Sequence, residues 1–402
     1  MTTEPALRAE PRIAAAGYLS ERVRNVPPSG IRRFFDIAAE MDDVISLSIG
    51  EPDFTTPEPV VRAAIASLEA GETHYTSNGG TPELRRAIAD RIQEMYGVTY
   101  DPAGEITITV GASEGMDAAL RAIVDPGDEV IYHEPSFVAY APLISFAGGV
   151  PVAIPTGEAA EFRVTAAQID AAVTPRTKAI FLAYPSNPTG AVLDEGELAD
   201  IAAVAERHDL LVITDEIYDR LVYGNHRHVA FSSLPGARER TILLGGFSKS
   251  YAMTGWRIGY VCAPRELMVG IAKVHQYGIM CAPTPAQFAA LEALRSAEPY
   301  VLDMLAEYDR RRRLMVDRFN EIGLPCFEPQ GAFYCFPRVA DVGLSSEEFA
   351  ERLLREEHVA VVPGGAFGPS GEGYVRVCYA AAYDPIVEAM DRIERFVGRH
   401  AA

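Results

Sequence analysis

The sequence predicts an α/β protein: a large domain with a seven-stranded, mostly parallel sheet covered by helices, joined to a smaller α+β domain. Three observations lead to this prediction. The chain has 402 residues, more than one domain usually contains. From about residue 105 to about residue 265, short apolar runs alternate with helical patterns. In residues 291–402 this alternation gives way to a charged helix and scattered strand-like pieces.

Seven apolar runs form the predicted sheet. Each is rich in Val, Ile or Leu, which is typical of strands buried on both faces. Between them lie helical patterns such as Glu195–His208, where apolar residues recur at helical spacing. Ligands of such sheets bind at the carboxyl ends of the strands, so the residues after each run are candidates for a site. The runs are Ile106–Val110, Glu129–His133, Val150–Ile154, Lys178–Ala183, Leu210–Thr214, Thr241–Leu244 and Arg257–Cys262.

The last part of the chain predicts the smaller domain. A charged helix is predicted over roughly Ala286–Ile322 and a closing helix near Pro385–Val397. We expect three parts: an N-terminal segment, 1–47, that packs with the small domain, a large cofactor-binding domain, 48–290, and the small domain, 291–402. The strand-like pieces of the small domain are Ala332–Phe336, Val359–Val362 and Tyr374–Cys378.

Composition excludes several classes of protein. Thirty-six basic against 56 acidic residues give a formal net charge of -20, which repels nucleic acid and anionic membranes. No stretch approaches the roughly 18 apolar residues of a membrane span, and the first thirty residues lack a signal-peptide core. The five cysteines form no CxxC pair, which argues against a disulfide framework or a zinc site. We therefore expect a cytoplasmic protein that binds no nucleic acid, membrane or metal.

The first chemical motif is Gly245-Gly246-Phe247-Ser248-Lys249-Ser250, directly after the run Thr241–Leu244. Lys249 is one of only three lysines, and most lysines are solvated surface charges. Its neighbours favour a functional role, because Ser248 carries a hydroxyl and Arg257 follows eight residues later. A hydroxyl and a guanidinium that flank a lysine form a phosphate clamp beside an amine.

A second motif, Thr214-Asp215-Glu216-Ile217-Tyr218, ends the run Leu210–Thr214. An Asp at a strand end is often only the N-cap of a helix. A carboxylate in this place could also hold the proton on a pyridine nitrogen by raising the pKa of that nitrogen. Tyr218 comes three residues after Asp215, about one turn if a helix begins here.

Two further motifs follow neighbouring runs. Asn187, in Pro185-Ser186-Asn187-Pro188-Thr189-Gly190, lies either in a plain turn or where its amide donates to an anionic ring oxygen. Ala112 and Ser113 pass from a strand into a helix, where backbone N–H groups can reach a phosphate. The glycines around them do not form the GxGxxG fingerprint, so a nicotinamide site is not favoured.

With these motifs the chain resembles the fold-type I pyridoxal-phosphate enzymes, specifically the class I/II aminotransferases and their prokaryotic aromatic and aspartate members. The resemblance runs nearly end to end, and the motifs together are specific for this family. The matching segments are Ser29-Gly30-Ile31-Arg32, Ile49–Phe54, Ser186–Gly190, Asp215–Tyr218, Ser248-Lys249, Thr254–Gly259 and Tyr374–Val377.

The resemblance implies how the cofactor ring is held. Lys249 would carry pyridoxal 5'-phosphate as a Schiff base and move the proton between the substrate and the cofactor. Asp215 would pair with the pyridinium nitrogen. Tyr218 and Asn187 would hold the ring oxygen, and Phe137 would stack on the ring face, with simple packing in the core as the alternative for Phe137.

The resemblance also implies a phosphate site and a shared dimer. Ser248, Arg257 and the backbone around Ala112 and Ser113 would hold the phosphate. Tyr75 looks like the tyrosine that members of this family send to the phosphate of the partner subunit, so we expect a homodimer.

Arg376 has a physical case of its own. It interrupts the apolar strand Tyr374–Cys378, where burying an arginine without a partner would be costly. A bidentate arginine can fix the α-carboxylate of an amino acid so that the Cα–H bond lies perpendicular to the ring. Gly50 and Asn187 are expected beside the same carboxylate.

The distal part of the substrate is less well specified. Some relatives that use aspartate have a lysine where this chain has Ser113, so that route to a second carboxylate is missing. Arg32 and Arg33 could bind a distal carboxylate, but solvated helix charges are more common. We expect an aminotransferase that moves the α-amino group of an L-amino acid, aromatic or broad-range and possibly aspartate, to a 2-oxo acid, with 2-oxoglutarate as the expected acceptor.

Two other functions remain alternatives. The same cofactor and fold also support a lyase, a decarboxylase or a synthase, and only a transaminase yields 2-oxo acid in step with amino-group acceptance. A non-catalytic cofactor-binding regulator usually carries a DNA-binding module, for which this length and charge leave no place. Among weaker patterns, His226 and His228 are expected to be solvated loop histidines, and Pro363–Gly368 a turn before the Arg376 strand.

Overall fold

The computed structural model describes residues 15–28, 30, 37 and 41–400. In chain order, the strands are β1 (Ile45–Ser46), β2 (Ile106–Thr109), β3 (Glu129–Glu134), β4 (Val150–Pro155), β5 (Thr177–Leu182), β6 (Leu211–Asp215), β7 (Thr241–Gly246), β8 (Gly259–Cys262), β9 (Tyr334–Cys335), β10 (Val359–Ala360), β11 (Val362–Pro363) and β12 (Val375–Cys378).

The α-helices of the described residues alternate with these strands in the first two thirds of the chain and dominate the last third. They are α1 (Glu21–Asn25), α2 (Glu58–Glu69), α3 (Pro82–Tyr96), α4 (Gly111–Ile123), α5 (Tyr140–Ala147), α6 (Ala166–Ala172), α7 (Glu195–Arg207), α8 (Arg265–Gly278), α9 (Thr284–Ser296), α10 (Glu298–Ile322), α11 (Ser346–Glu357) and α12 (Tyr383–His400). None of the described helices is long and apolar enough to cross a membrane.

The predicted large sheet is confirmed. Seven strands lie in the order β2-β8-β7-β6-β5-β3-β4. Every neighbouring pair is parallel except the two that involve β8, which runs antiparallel to both β2 and β7. The carboxyl ends of β2, β5, β6 and β7 therefore meet at one edge of the sheet, and the reversed β8 begins at that same edge. This explains how the segment before β8 and the loops after the other strands come together.

Helices cover both faces of this sheet. The adjacent residues Ile180 and Phe181 of β5 point to opposite faces, as alternation along a strand requires. Ile180 packs in a core with residues of α7, and Phe181 packs in another core with residues of α4 and α8. The strand β4 differs from the expected strand buried on both faces, because it lies at the end of the strand order and is largely exposed.

One predicted helix is in fact two. The predicted helix Ala286–Ile322 is interrupted at Ala297, between α9 and α10. Pro299 lies in the first turn of α10, a position that tolerates a residue without an N–H, whereas the interior of a helix does not. The expected boundary between residues 290 and 291 falls inside α9, whose alanines pack with residues of α2 and α3. We therefore propose that the large domain extends to Ala297.

The last third of the chain builds two small sheets against α10, α11 and α12. β11, β12 and β9 form an antiparallel three-stranded sheet, and β1 pairs in parallel with β10. The prediction of one strand over Val359–Val362 is wrong, because β10 and β11 pair with different sheets. The pairing of β1 with β10 supports a proposal that the end of the N-terminal segment belongs with this part of the chain.

Candidate active site

Most of the predicted site residues line one cavity of about 290 Å³ at the edge where the strands end. Tyr75 does not; its side chain is 80% exposed. The predicted residues in the cavity wall are Gly50, Ala112, Ser113, Phe137, Asn187, Asp215, Tyr218, Ser248, Lys249, Arg257 and Arg376.

Lys249 lies in the turn that follows β7 and reaches across the cavity. Its Nζ donates a hydrogen bond to the backbone oxygen of Gly50 at 2.6 Å. Burial in the cavity wall, with a further contribution from the Arg376 charge, lowers the pKa of Lys249 to about 8. A lysine with this pKa is partly a neutral amine near neutral pH, the form that attacks a carbonyl carbon and accepts a proton.

Asp215 ends β6 and points into the cavity. Its Oδ2 accepts from the Tyr140 hydroxyl at 2.9 Å, and its Oδ1 accepts from the backbone N–H of Ile217 at 3.2 Å. Burial raises the pKa of Asp215 to about 6. The alternative of a helix N-cap is wrong, since the chain forms a turn here. Among the described residues no cation lies within 4.0 Å of this carboxylate, so a cationic ring nitrogen would suit it.

Arg376 and Asn187 meet at the opposite side of the cavity. Arg376 is 4% exposed, and its Nη1 donates to Asn187 Oδ1 at 3.0 Å while Nη2 donates to Ser48 O at 2.6 Å. The Asn187 amide nitrogen therefore remains available to donate into the cavity. The Arg376 Nε has no hydrogen-bond partner, and no described carboxylate pairs with this guanidinium. A carboxylate ligand would supply the missing partner.

Arg257 approaches the start of α4, where predicted phosphate donors lie. A Cβ on Gly111 would lie 2.7 Å from Arg257 Nη2, and a Cβ on Gly259 would lie 2.7 Å from Ala112 N. Only glycine at these two positions leaves room for the guanidinium and the helix to come together. Arg257 has a φ of 50° and donates to Thr254 O at 3.0 Å, without an ion pair to any carboxylate of the described chain. With the exposed N–H groups of α4, it fits a phosphate.

The sequence did not single out two tyrosines of this site. Tyr140, on α5, donates to Asp215, and Tyr334, on β9, shares a hydrogen bond of 2.8 Å with the Tyr218 hydroxyl. The Arg376 guanidinium lies 4.5 Å from the centre of the Tyr334 ring. Each is a single tyrosine in an apolar stretch, and the only signal was that a buried tyrosine hydroxyl needs a partner.

Phe137 separates this cavity from a larger one. Its ring packs edge-on against Tyr140 with centroids 5.6 Å apart, and it lines both cavities. The larger cavity measures about 800 Å³ and lies between the N-terminal segment, α5 and the turn Gly364–Phe367. Its described lining is largely apolar, with the carboxylates of Glu134, Glu347 and Glu372 and no lysine or arginine.

The prediction for His228 is wrong, although that for His226 agrees with its exposed position. The His228 side chain is 7% exposed, and its Nε2 lies 2.8 Å from Glu216 Oε2. Glu216 is buried next to Asp215, and a buried carboxylate requires such a partner. Within the described residues no group of His, Cys, Asp or Glu side chains is arranged to hold a metal ion.

The donor set of the cavity fits pyridoxal phosphate. Arg257 has no carboxylate partner among the described residues, Asp215 has no cation within 4.0 Å, and both line the cavity together with Lys249 and the start of α4. The cofactor offers a matching group for each of them: a phosphate for the guanidinium, a ring nitrogen for the carboxylate and a carbonyl carbon for the amine. Arg376 is the one charged residue of the described cavity lining that the cofactor does not need, and it is available for the carboxylate of a substrate.

Comparisons with known proteins indicate a single family. Residues 42–393 match the family described as aminotransferase class I and II. The chain is 51% identical to the putative aminotransferase YugH of Bacillus subtilis, over 94% of this chain and 98% of the relative. It is 48% identical to an aspartate aminotransferase of Pyrococcus abyssi, over 94% and 97%. The solved structure of the aromatic aminotransferase from Pyrococcus horikoshii is 46% identical, with a TM-score of 0.88 over 91% of this chain and 99% of that chain.

Proposed function

Because the chain belongs to the class I and II aminotransferases, which are fold-type I enzymes that use pyridoxal phosphate, we propose that it transfers the α-amino group of an aromatic or broad range of L-amino acids to 2-oxoglutarate. The observation that carries this proposal is the Arg376 guanidinium, which is buried in the cavity wall without a carboxylate partner among the described residues. It gives the site one strong position for an α-carboxylate.

The described lining supports an apolar side chain in the donor. Besides Arg376, the cations of the cavity are Lys249 and Arg257, and both have other tasks in this proposal. The adjoining larger cavity presents apolar side chains and carboxylates, which would repel a distal carboxylate. The second carboxylate of 2-oxoglutarate would then need Arg32 or Arg33, which lie outside the described residues.

In the proposed mechanism the residues divide the work between binding and proton transfer. When bound, pyridoxal phosphate supplies a carbonyl carbon for amines and a conjugated ring that draws electrons from the substrate α-carbon. Arg257, Ser248 and the start of α4 hold the phosphate. Asp215 keeps a proton on the ring nitrogen, because a buried carboxylate stabilises a neighbouring cation.

The remaining residues orient the substrate and move its proton. Arg376 and Asn187 hold the α-carboxylate, so that the Cα–H bond faces Lys249. The Lys249 amine would accept this proton and later give it up again, and its pKa of about 8 supports that role. Tyr218 and Asn187 donate hydrogen bonds to the ring oxygen. The same residues would serve both substrates, because the acceptor 2-oxo acid also presents a carboxylate to Arg376.

The test is a panel of amino donors with 2-oxoglutarate, in which the 2-oxo acid and glutamate are both measured. We expect equal amounts of the two products and a kcat/KM for tyrosine or phenylalanine about tenfold or more above that for aspartate. Lys249→Ala should lose at least about 10⁴-fold in rate, whereas the exposed Lys273→Ala should keep the wild-type rate.

Three outcomes would contradict parts of this proposal. A Lys249→Ala variant that transaminates at the wild-type rate would overturn the role of Lys249. Cofactor binding without 2-oxo acid from any donor would favour a lyase or decarboxylase. A preference for aspartate would overturn the apolar donor.

We also infer a homodimer in which Tyr75 reaches the phosphate site of the partner subunit. Tyr75 and Tyr277 are 80% and 87% exposed, and Ile279 and Met280 are also exposed. Hydrogen bonds from Asn78 Nδ2 to Met280 O and from the Thr284 hydroxyl to His74 O hold the two segments side by side. Such an apolar surface is typical of a protein interface. Light scattering should give about twice the 43.6 kDa of one chain, and a monomer would contradict this inference.

We further infer a cytoplasmic location. The five cysteines are all free, and four of them are buried, as expected for a protein kept under reducing conditions. Detection of the protein in an extracellular fraction would contradict it.

A further inference from the structure

The Tyr218 and Tyr334 hydroxyls form an isolated pair in the cavity wall. Tyr218 lies in the turn after β6, and Tyr334 lies on β9 of the three-stranded sheet, so the pair joins two parts of the fold. The two oxygens are 2.8 Å apart, and either one can be the donor. Among the described residues neither hydroxyl has another hydrogen-bond partner.

Only one donor is possible in the Tyr218–Tyr334 hydrogen bond when the Tyr218 hydroxyl also donates to a ligand. A tyrosine hydroxyl has one proton to donate. If Tyr218 donates that proton to an oxygen in the cavity, it can only accept from Tyr334, and Tyr334 must be the donor. Burial raises the pKa of Tyr218 and of Tyr334 well above the ordinary tyrosine value, so both hydroxyls keep their protons.

The side chains around Tyr334 hold its ring in place, with its hydroxyl beside that of Tyr218. The side chain is 1% exposed, the Arg376 guanidinium covers one face at 4.5 Å from the centroid, and Phe333 packs at 4.9 Å. A Cβ on Gly50 would lie only 2.4 Å from the Tyr334 hydroxyl, so a larger residue there would force this side chain to move. Phenylalanine would fill the same space without burying a polar group, which indicates that the hydroxyl has a purpose beyond packing.

We propose that Tyr334 is a positioning residue that donates to Tyr218 and thereby directs the Tyr218 proton at the ring oxygen of the bound cofactor. Tyr334 acts only through Tyr218 and does not touch the reacting atoms. Hydrogen bonds in a chain polarise one another, so the Tyr334 donor also strengthens the Tyr218 donor. This inference rests on the proposed function, since it assumes that Tyr218 faces a cofactor oxygen.

The absorbance of the bound cofactor as a function of pH tests this proposal without an activity assay. The proton that changes the absorbance is shared between the Lys249 nitrogen and the ring oxygen. A donor to that oxygen stabilises its negative charge most after this proton has left, so each donor lowers the apparent pKa of the absorbance change. We expect Tyr334→Phe to raise this pKa by about half a unit and Tyr218→Phe to raise it by about one unit, as the net value of a hydrogen bond implies.

The double variant separates a relay from simple packing. In the Tyr218→Phe protein, Tyr334→Phe should cause no further change in the apparent pKa, because there is no Tyr218 proton left to direct. Tyr100→Phe is the matched control, since the Tyr100 side chain is likewise buried in a core but does not line the cavity. It should leave the apparent pKa unchanged.

Each other outcome overturns the proposal. An unchanged apparent pKa in Tyr334→Phe would mean that its hydroxyl does not act on Tyr218. An equal shift in the presence and absence of the Tyr218 hydroxyl would mean that Tyr334 acts by another route. Loss of cofactor binding in Tyr334→Phe would mean that the tyrosine serves to build the site. Failure of the wild type itself to bind pyridoxal phosphate would instead overturn the proposed function.

Discussion

Two regions of the molecule bury arginines to the same extent but treat their charge differently. In the long helix α10, Arg311 and Arg312 are 5% and 6% exposed, and in the cavity Arg376 is 4% exposed. Arg311 donates to Asp53 and Glu307, and Arg312 donates to Asp309 and Glu328. Arg376 donates only to the neutral oxygens of Asn187 and Ser48. The arginine charges of α10 are balanced by carboxylates of the fold, whereas the charge of Arg376 in the cavity is not.

This difference distinguishes buried charges that stabilise the fold from buried charges that bind a ligand. A buried charge without an opposite partner costs several kcal/mol. In the cavity that cost is carried by Arg376, and Asp215 is likewise buried without a cation within 4.0 Å among the described residues. Groups that are oriented in advance in this way bind a ligand of opposite charge without reorganising, which is how enzymes stabilise transition states. Binding of the cofactor and the substrate would supply the opposite charges that Arg376 and Asp215 lack within the described chain, and would thereby stabilise the folded protein.

Among the buried charges compared, the largest effect is expected from Arg376→Gln. It should lower kcat/KM for amino donors by about 10³-fold, because the substrate carboxylate loses a charged, bidentate partner. The free energy of unfolding should stay the same or rise, because the substitution removes an uncompensated buried charge. Steady-state kinetics and denaturant unfolding of the same preparation measure the two quantities.

Arg376→Lys is the matched control for this prediction. It keeps the charge but loses the planar fork, so it should recover only part of the lost kcat/KM. A large loss of stability in Arg376→Gln would break the comparison, since it would show that this arginine also holds the fold together.

A smaller effect, again toward higher stability of the variant, is expected from Asp215→Asn in the cofactor-free protein. The carboxyl has an ordinary pKa of 3.8, and burial raises this to about 6 in the folded protein. Between these values the folded protein keeps a proton that the unfolded chain has lost, so stability falls as pH rises. The wild type should therefore lose about 3 kcal/mol relative to the variant between pH 4 and pH 6 and no more above that.

Asp219→Asn provides the control for this pH dependence. Burial also raises the pKa of Asp219 to about 6, although its Oδ2 accepts from the Tyr96 hydroxyl outside the cavity. The wild type should lose a similar amount of stability relative to Asp219→Asn between pH 4 and pH 6. Asp219→Asn should nevertheless bind the cofactor as the wild type does, whereas Asp215→Asn should weaken binding. A wild type that gains stability over Asp215→Asn between pH 4 and pH 6 would contradict the assigned cause.

The features that could be predicted from the sequence are those that depend on short segments of the chain. The seven strands and the motifs at their ends were found because apolar periodicity and local spacing are properties of short segments. The meeting of Asp215, Asn187 and Lys249 at one edge followed from the rule for parallel sheets. Arg257 was predicted from its spacing to Lys249, and it reaches the same edge because β8 runs antiparallel. Arg376 was found because a charge in an apolar strand is unusual.

What the sequence could not give was contact between distant segments. The bonds of Tyr140 to Asp215 and of Tyr334 to Tyr218 join residues far apart in the chain, and a lone tyrosine carries no sign of its partner. The same is true of His228, which pairs with Glu216 although its sequence neighbours suggest an exposed loop. The break between α9 and α10 is a different case, because Pro299 fits the first turn of a helix but not its interior and so marks the break in the sequence itself.

The smallest effect is expected from Arg312→Met, and it tests the other half of the comparison. The variant keeps the apolar stem of the side chain but removes the guanidinium, which lies over the Tyr223 ring and pairs with Asp309 and Glu328. Because the Glu328 side chain is 68% exposed and that of Asp309 27%, water can take over much of their solvation. The free energy of unfolding should fall by about 1–2 kcal/mol, less than for a fully buried pair, while kcat/KM of the folded enzyme stays near the wild-type value. The exposed Arg313→Met is the control and should change neither. If Arg312→Met lowered kcat/KM as much as Arg376→Gln does, the division between structural and ligand-binding arginines would fail.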